Sequence, residues 1–395
     1  MTMKEAYIVS AKRTPMGSFG GALSSLSATQ LGSLAIKAVL SESGIPSSAV
    51  QEVLMGNVCS ANLGQAPARQ AALGADLPLT VPCTTVNKVC SSGMKSIMFA
   101  AQSIQLGQSH VIVAGGMESM SNIPYYVPKL RWGAKYGQQS LVDGLEKDGL
   151  TDAYDHVAMG NCGDATAAKY GFSREAQDEY AIRSYERSAS ATESGAFAAE
   201  IVPVSIPQRK GDPLIVSEDE EFKNVKFDKI PKLRPAFDKE GTVTAANAST
   251  LNDGASALLI VSEEALKEYN LTPMAKILSY ADAAHEPRWF TTAPTKAAPK
   301  ALERAGLSKE DIDLYEVNEA FAVVAMAFAQ ECGVDHNKMN VHGGAVSLGH
   351  PLGCSGARIT TTLLHALNTR NGSKGLATLC NGGGGASALV LERLS

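Results

Sequence analysis

The chain has 395 residues and a formal net charge of -5, with 45% hydrophobic residues, 19% charged residues and 36 glycines. That length exceeds the roughly 250–300 residues at which one core stops growing, so two or more packed units are predicted, and the acidic balance disfavours nucleic acid as a partner. Seven scattered cysteines, with no Cys-x-x-Cys pair or close Cys/His set, argue for reduced thiols and against a disulfide framework or a zinc-type centre.

In chain order, the opening Met1–Ser10 runs into a strand-like stretch, Tyr7–Ser10, with no signal-peptide apolar region and no Arg/Ser-rich transit segment. No apolar run approaches a membrane span. A cytoplasmic chain is expected, or a mitochondrial-matrix one if a presequence has been removed. An amphipathic helix follows at Ala28–Ser43, then an apolar strand at Val50–Val58. Thr84–Val89 reads as an extended approach to a helix over Ser91–Leu106, and Val111–Ala114 as a buried strand. Ala255–Ile260 has the character of the next strand, but about 140 residues intervene, far more than an ordinary connection. Residues from about Ser119 to Thr250 are read as an inserted subdomain.

A second series repeats the first. Ile277–Tyr280 and Leu376–Leu379 read as strands, Asp311–Asn318 as an apolar strand, and Ala293–Ala305 and Glu319–Glu331 as helices. Gly385-Ala386-Ser387-Ala388-Leu389-Val390-Leu391 repeats Gly254-Ala255-Ser256-Ala257-Leu258-Leu259-Ile260, and a Ser-Gly helix start recurs at Ser92-Gly93 and Ser355-Gly356. Both halves share one order, strand-helix-strand-helix-helix-strand-strand, which predicts a layered α/β fold with mostly parallel, buried strands. The division expected is 1–118 with 251–270 as the first half, 119–250 as the insertion, and 271–395 as the second half.

Three segments carry the chemistry: Asn87–Gly93 around Cys90, Gly349-His350-Pro351-Leu352-Gly353, and Cys380 with the glycine run Gly382–Gly385. Cys90 falls where a strand turns into a helix, a position where unpaired N–H groups favour thiolate. His350 holds the symmetry-related place before the second helix, so two equivalent helix starts facing one another would bring thiol and imidazole together. The run after Cys380 is entropically costly unless positive φ or close approach is needed, and its N–H groups could join that of Cys90 in an oxyanion site. Asn318 ends a buried strand at a helix start, where it could hold a water or serve only as an N-cap. Inside the insertion, Lys223, Lys226, Lys229, Lys232 and Arg234 follow the acidic Glu218–Glu221, a cluster suited to a phosphate-bearing ligand or to a solvated face.

With these segments in view the chain resembles the thiolases, and among them the acetyl-CoA acetyltransferases. The resemblance runs end to end and includes Arg13-Thr14-Pro15, Gly64–Gln70, the Cys90 segment, Gly115–Ser121, Asn318-Glu319-Ala320-Phe321, Gly349-His350-Pro351 and Cys380-Asn381-Gly382. It implies the thiolase fold, two duplicated βαβαβαββ halves in a layered α/β arrangement with an inserted loop domain, and homotetramers built from tight dimers. The implied activity is reversible condensation of two acetyl-CoA molecules to acetoacetyl-CoA plus coenzyme A, without a redox cofactor. Cys90 is the implied nucleophile, His350 its activator and Cys380 the acid/base; one oxyanion site comes from His350 with a water on Asn318, the other from the N–H groups of Cys90 and Gly382. For coenzyme A the similar positions are Tyr185, Asn224, Val225, Lys226, Lys229 and Ser249, with Phe237 and Phe321 against pantetheine or acyl groups and Met159 restricting acyl length. A potassium-activated subgroup has counterparts in Tyr185, Ala245, Ala246, Ala248 and Val346. The chain departs from the short-chain pattern at Ala158, where a His is usual. A degradative 3-ketoacyl-CoA thiolase of broader chain length is the alternative.

Overall fold

The computed structural model describes residues 4–394, so residues 1–3 and 395 at the outer ends of the expected halves fall outside it. Nine strands build the main sheet: β1 (Ala6–Arg13), β2 (Glu52–Gly56), β3 (Cys83–Val86), β4 (Val111–Ser119), β5 (Asn252–Ser262), β6 (Ala275–Ala284), β7 (Leu314–Val317), β8 (Lys374–Asn381) and β9 (Gly385–Arg393). A short Gly17–Ser18 strand joins β5 at the side. Their order is β3-β2-β4-β5-β1 and then β6-β9-β8-β7. Apart from β3, the two series mirror one another, and they meet at the pairs Tyr7 with Lys276 and Ile8 with Ala275.

The strands are not mostly parallel, which corrects the expectation. Only β2–β3, β2–β4 and β7–β8 run parallel; β4–β5, β5–β1, β1–β6, β6–β9 and β9–β8 are antiparallel. Burial on both faces produced the continuous apolar runs, and burial does not encode strand direction. Glycine at Gly383 and Gly384, with φ of 82° and 85°, lets the chain reverse from β8 into β9.

Two helices define the centre of the molecule. Helix α1 (Ala28–Ser43) begins at Ser27 with a capping box and ends at Gly44 in the left-handed region, which accounts for its sharp boundaries. Helix α2 (Ser92–Gln105) and its repeat partner α3 (Leu352–Thr369) lie between the sheet halves, and α3 is buried over Leu352–Leu367. They cross where side chains are absent: a Cβ on Gly93 would stand 2.8 Å from the Ala357 nitrogen and 2.9 Å from the Gly353 oxygen, and a Cβ on Gly56 would stand 2.8 Å from that same oxygen.

Residues 120–251 leave and return at one point, since Ser119 pairs with Asp253. This segment is pinned to the core by Arg13, which is fully buried. Its guanidinium bonds Asp219 at 2.7 and 2.9 Å, pairs with Glu200, and lies 5.0 Å from the Phe197 ring centre. Among the described residues no helix is long and apolar enough to cross a membrane.

A methyl at the helix crossing has no space, so Gly93→Ala is expected to cost about 1–3 kcal/mol through overpacking. Denaturant unfolding of wild type and variant measures this; equal midpoints would show that the crossing relaxes freely.

Candidate active site

The Cys90 segment folds as an elbow. Strand β3 delivers the chain to Asn87, whose side-chain oxygen accepts the Val89 N–H at 3.0 Å, and Val89 takes φ of 47°. A β-branched residue in the left-handed region is a strained one. The turn is held from within, because Ser92 Oγ donates to the Val89 carbonyl at 2.6 Å and accepts the Lys88 N–H at 2.8 Å. It is also held from the other half: Lys88 Nζ reaches Asp282 at 2.6 Å and Ser387 Oγ at 2.8 Å, on β6 and β9. Cys90 therefore sits two residues before α2, as expected of a strand-to-helix junction.

His350 occupies the equivalent place, two residues before α3. Its N–H donates to Asn252 Oδ1 at 2.9 Å, its Nδ1 is 2.6 Å from Ser355 Oγ, and the Asn318 amide nitrogen lies 3.5 Å from its ring nitrogens. Asn318 does not cap the helix that follows it: that helix, Ala322–Cys332, starts after an extended Phe321. Asn318 is buried and free to face His350. The helix begins later than its sequence pattern suggests because Phe321 forms a bridge with Ala248 and Ser249 N bonds the Ala320 carbonyl at 3.0 Å.

The Cys380 turn closes over the elbow. Asn381 Oδ1 accepts from Ser91 Oγ at 3.0 Å, and the N–H groups of Gly382 and of Cys90 itself are directed at the Cys90 sulfur. A Cβ on Gly382 would stand 3.5 Å from Val89 and 3.6 Å from the Met159 methyl, so Met159, the first residue of the helix Met159–Tyr170, closes the far side.

The electrostatics depart from the expectation for a helix N-terminus. Burial pushes the Cys90 thiol up to about 11, outweighing the Gly382 and Cys90 N–H groups that favour thiolate. Burial raises Cys380 well above the ordinary thiol range, and the adjacent Cys90 sulfur adds to this. Burial and the Arg358 charge hold His350 down at about 3. The site holds two thiols and a neutral imidazole.

A cavity of about 660 Å³ opens from His350 past Met159 to the surface. Asn224, Phe237, Ala245, Ala248, Ser249 and Phe321 line it, and the Phe237 and Phe321 rings meet edge to face at 6.2 Å. Tyr185 and Val346 instead gather in a separate buried cluster, with the partly buried Val225 packed against it. Lys226, just before the 3-10 turn Phe227–Lys232, and Lys229 within it are exposed, and Ala246 is buried in the turn beside Ala245.

Several contributors escaped sequence reasoning. Ser18 and Phe19 line the cavity mouth, with Ser18 N–H held by Glu220 at 2.7 Å. Glu118, fully buried, accepts from Asn57 Nδ2, Val58 N, Cys59 N and Gly353 N at 2.8–3.2 Å, so it joins the strand ends of one half to the His350 helix of the other. A carboxylate at the end of an apolar strand was the available signal.

Comparison with known proteins follows the same lines. Residues 6–264 match the family described as thiolase, N-terminal domain, and residues 271–393 the thiolase, C-terminal domain. The chain is 55% identical to an acetyl-CoA acetyltransferase of Schizosaccharomyces pombe over 100% of both chains. It is 56% identical to a cytosolic acetyl-CoA acetyltransferase of Gibberella zeae, covering 98% of each, and 56% identical to a mitochondrial one of Xenopus laevis, covering 100% of this chain and 93% of that one. The crystal structure of the Acat5 thiolase from Ascaris suum in complex with coenzyme A superposes with a TM-score of 0.94 at 49% identity, over 99% of this chain and 100% of that one.

Because the raised Cys90 thiol is ionised only slightly at neutral pH, its alkylation by iodoacetamide should accelerate about tenfold per pH unit from pH 7 to 9 without levelling. Peptide mass spectrometry at Cys90 reads this; a plateau by pH 8 would mean that the helix dipole and N–H groups outweigh burial.

Proposed function

This chain belongs to the thiolase family, and we propose that it is an acetyl-CoA C-acetyltransferase that joins two acetyl-CoA molecules into acetoacetyl-CoA and coenzyme A, reversibly. The observations that support the reading are an elbow cysteine beside a second buried thiol and a buried neutral histidine that lines one cavity with Met159, Ser249 and Phe321, in a chain 55–57% identical to proteins named for that activity.

In this reading Cys90 passes its proton to His350 and attacks the acetyl carbonyl, whose oxygen becomes an oxyanion facing the N–H groups of Cys90 and Gly382. The C–S bond to coenzyme A breaks, and Cys380, which starts as a thiol, protonates the departing sulfur. That leaves acetyl-Cys90, a Cys380 thiolate and a protonated His350. The thiolate then takes the α-proton of a second acetyl-CoA, and the enolate oxygen is stabilised by His350 and a water on Asn318. Attack of that carbon on acetyl-Cys90 forms the new C–C bond and expels the Cys90 thiolate, which recovers its proton from His350. Cys90 and His350 recover their starting protonation, and Cys380, which gave its proton to coenzyme A, holds the α-proton in its place.

Substrate binding in the same reading uses the cavity. Asn224, Ser249, Phe237 and Phe321 take the pantetheine and acyl parts, Val225, Lys226 and Lys229 the nucleotide side with the buried Tyr185 packed behind Val225, and Met159 limits acyl length. The exposed lysines supply charge for phosphate groups. Potassium fits the set Tyr185, Ala245, Ala246, Ala248 and Val346: no backbone N–H among the described residues bonds the carbonyls of Ala245, Ala246 or Val346, and such oxygens suit a weakly hydrated cation. When bound, the ion would brace the turn that carries Ser249. The division into residues 1–118 with 251–270, 119–250 and 271–395, a cytoplasmic location, and a homotetramer belong to this reading. Exposed Trp132 and Tyr136 offer an apolar surface that another copy would cover.

Incubation with acetyl-CoA should place an acetyl group on Cys90, visible by mass spectrometry and absent in Cys90→Ala. Cys380→Ala should keep a detectable adduct but lose condensation by roughly 10²–10⁴-fold. Turnover that persists in Cys90→Ala would remove the nucleophile, and cleavage rates undiminished for longer 3-ketoacyl-CoA substrates would move the activity to the degradative class. Potassium should raise the rate in a saturable manner; a flat response over sodium controls would remove the ion.

A further inference from the structure

The His350 imidazole sits in a chain of hydrogen bonds that runs between an acceptor and a donor. At one end is the Pro351 carbonyl, which can only accept; at the other is the Arg358 guanidinium, which can only donate. Ser355 Oγ lies 2.8 Å from the Pro351 oxygen and 2.6 Å from His350 Nδ1. A hydroxyl has one proton. Given to the Pro351 oxygen, which also accepts the Cys354 and Ser355 N–H groups at 3.0 Å, it leaves Ser355 Oγ as an acceptor toward the ring with the hydrogen on Nδ1; given to the ring instead, it would make Nδ1 the acceptor. From the other side, Arg358 Nη2 is 3.5 Å from Asn318 Oδ1, which turns the amide nitrogen of Asn318 toward the imidazole. Ser355 and Arg358 are both fully buried, so water does not compete for these partners from bulk solvent.

Resting on the functional reading above, we propose that Ser355 is a positioning residue that holds His350 in the Nδ1–H tautomer, leaving Nε2 bare as the atom that receives the Cys90 proton. The transfer is balanced: the Sγ–H bond of Cys90 breaks, an Nε2–H bond forms, and the ring becomes positive while the sulfur becomes negative. The new Nε2–H is also the donor that the enolate oxygen needs in the second half-reaction. A histidine fixed in the opposite tautomer would present a hydrogen to the Cys90 thiol and accept nothing. The hydroxyl is supplied from the first turn of α3, five residues after His350, so the same helix start that places the ring also sets which nitrogen is free.

The test uses the full-length enzyme and the variants Ser355→Ala and Ser355→Thr. Single-turnover acetylation of Cys90 should slow roughly 10- to 1,000-fold in Ser355→Ala, with KM for acetyl-CoA changed less than about twofold, and Ser355→Thr should restore most of the rate. Solid-state 15N spectra of histidine-labelled protein, with His350 assigned by its loss in His350→Ala, should show protonated Nδ1 and bare Nε2 in wild type and a mixed or reversed pattern in Ser355→Ala. Acetylation of Ser355→Ala at the wild-type rate would overturn the proposal, as would an Nε2–H ring in wild type or an unchanged tautomer in Ser355→Ala. If threonine fails to restore the rate, the spectrum of Ser355→Ala alone decides between the two outcomes. Because the spectra are recorded without substrate, a wild-type enzyme that shows the expected tautomer but forms no acetyl-Cys90 would refute the functional reading and not the hydrogen-bond assignment.

Discussion

Everything at this site depends on how closely two helix starts approach. Helices α2 and α3 cross at Gly93, Gly353 and Gly356, with Gly56 and Gly116 from the neighbouring strands against the same backbone. With Cβ atoms at these positions the helices would have to separate by the width of a methyl group or more, and cores do not absorb such volume without strain. Cys90 and His350 each stand two residues before their helix. Their relation is therefore set by backbone contact, the stiffest kind available, and the side chains inherit it.

Buried charge then fastens the other pieces to that crossing. Glu118 collects four N–H donors from the two halves. Glu319 does the same for the insertion, accepting from Tyr180 at 2.8 Å, Ser184 at 2.7 Å, Asn340 at 2.8 Å and the Val346 N–H at 3.1 Å. Arg13 ties residues 200 and 219 of the insertion to β1. Buried ion pairs contribute little net stability, yet each is costly to break singly. Here the Arg13 ion pairs and the Glu319 hydrogen bonds attach the insertion to the core.

Burial has a chemical consequence as well. A helix N-terminus lowers a thiol pKa when water can still solvate the sulfur, but Cys90 is enclosed by the Gly382 turn and the uncharged form prevails. His350, enclosed and close to Arg358, stays uncharged too. Thiol and imidazole are therefore both uncharged in this structure. The N–H groups of Cys90 and Gly382 are directed at the sulfur and oppose the effect of burial without overcoming it.

Much of this was legible in the residues alone. The Gly-Ala-Ser-Ala-Leu repeat disclosed the duplication, because a repeat preserves order and local pattern; the Ser-Gly pairs did not align Cys90 with His350, since Ser355-Gly356 lies inside a helix that begins at Leu352, and the equivalence appears only when the two helix starts are compared. The bounds of α1 could be read directly, since its capping box and Gly44 act within a few residues. Strand direction could not, because a strand buried on both faces has the same composition whichever way its neighbour runs. Nor could the φ of Val89, the release of Asn318 from capping, or the roles of Glu118 and Ser355, each of which depends on atoms brought from distant parts of the chain. The sequence by itself determined which residues are available for the chemistry and the order in which they recur. Tertiary structure alone decided their protonation, because the acidity of a thiol or imidazole is set by the water it loses and the neighbours it gains on folding.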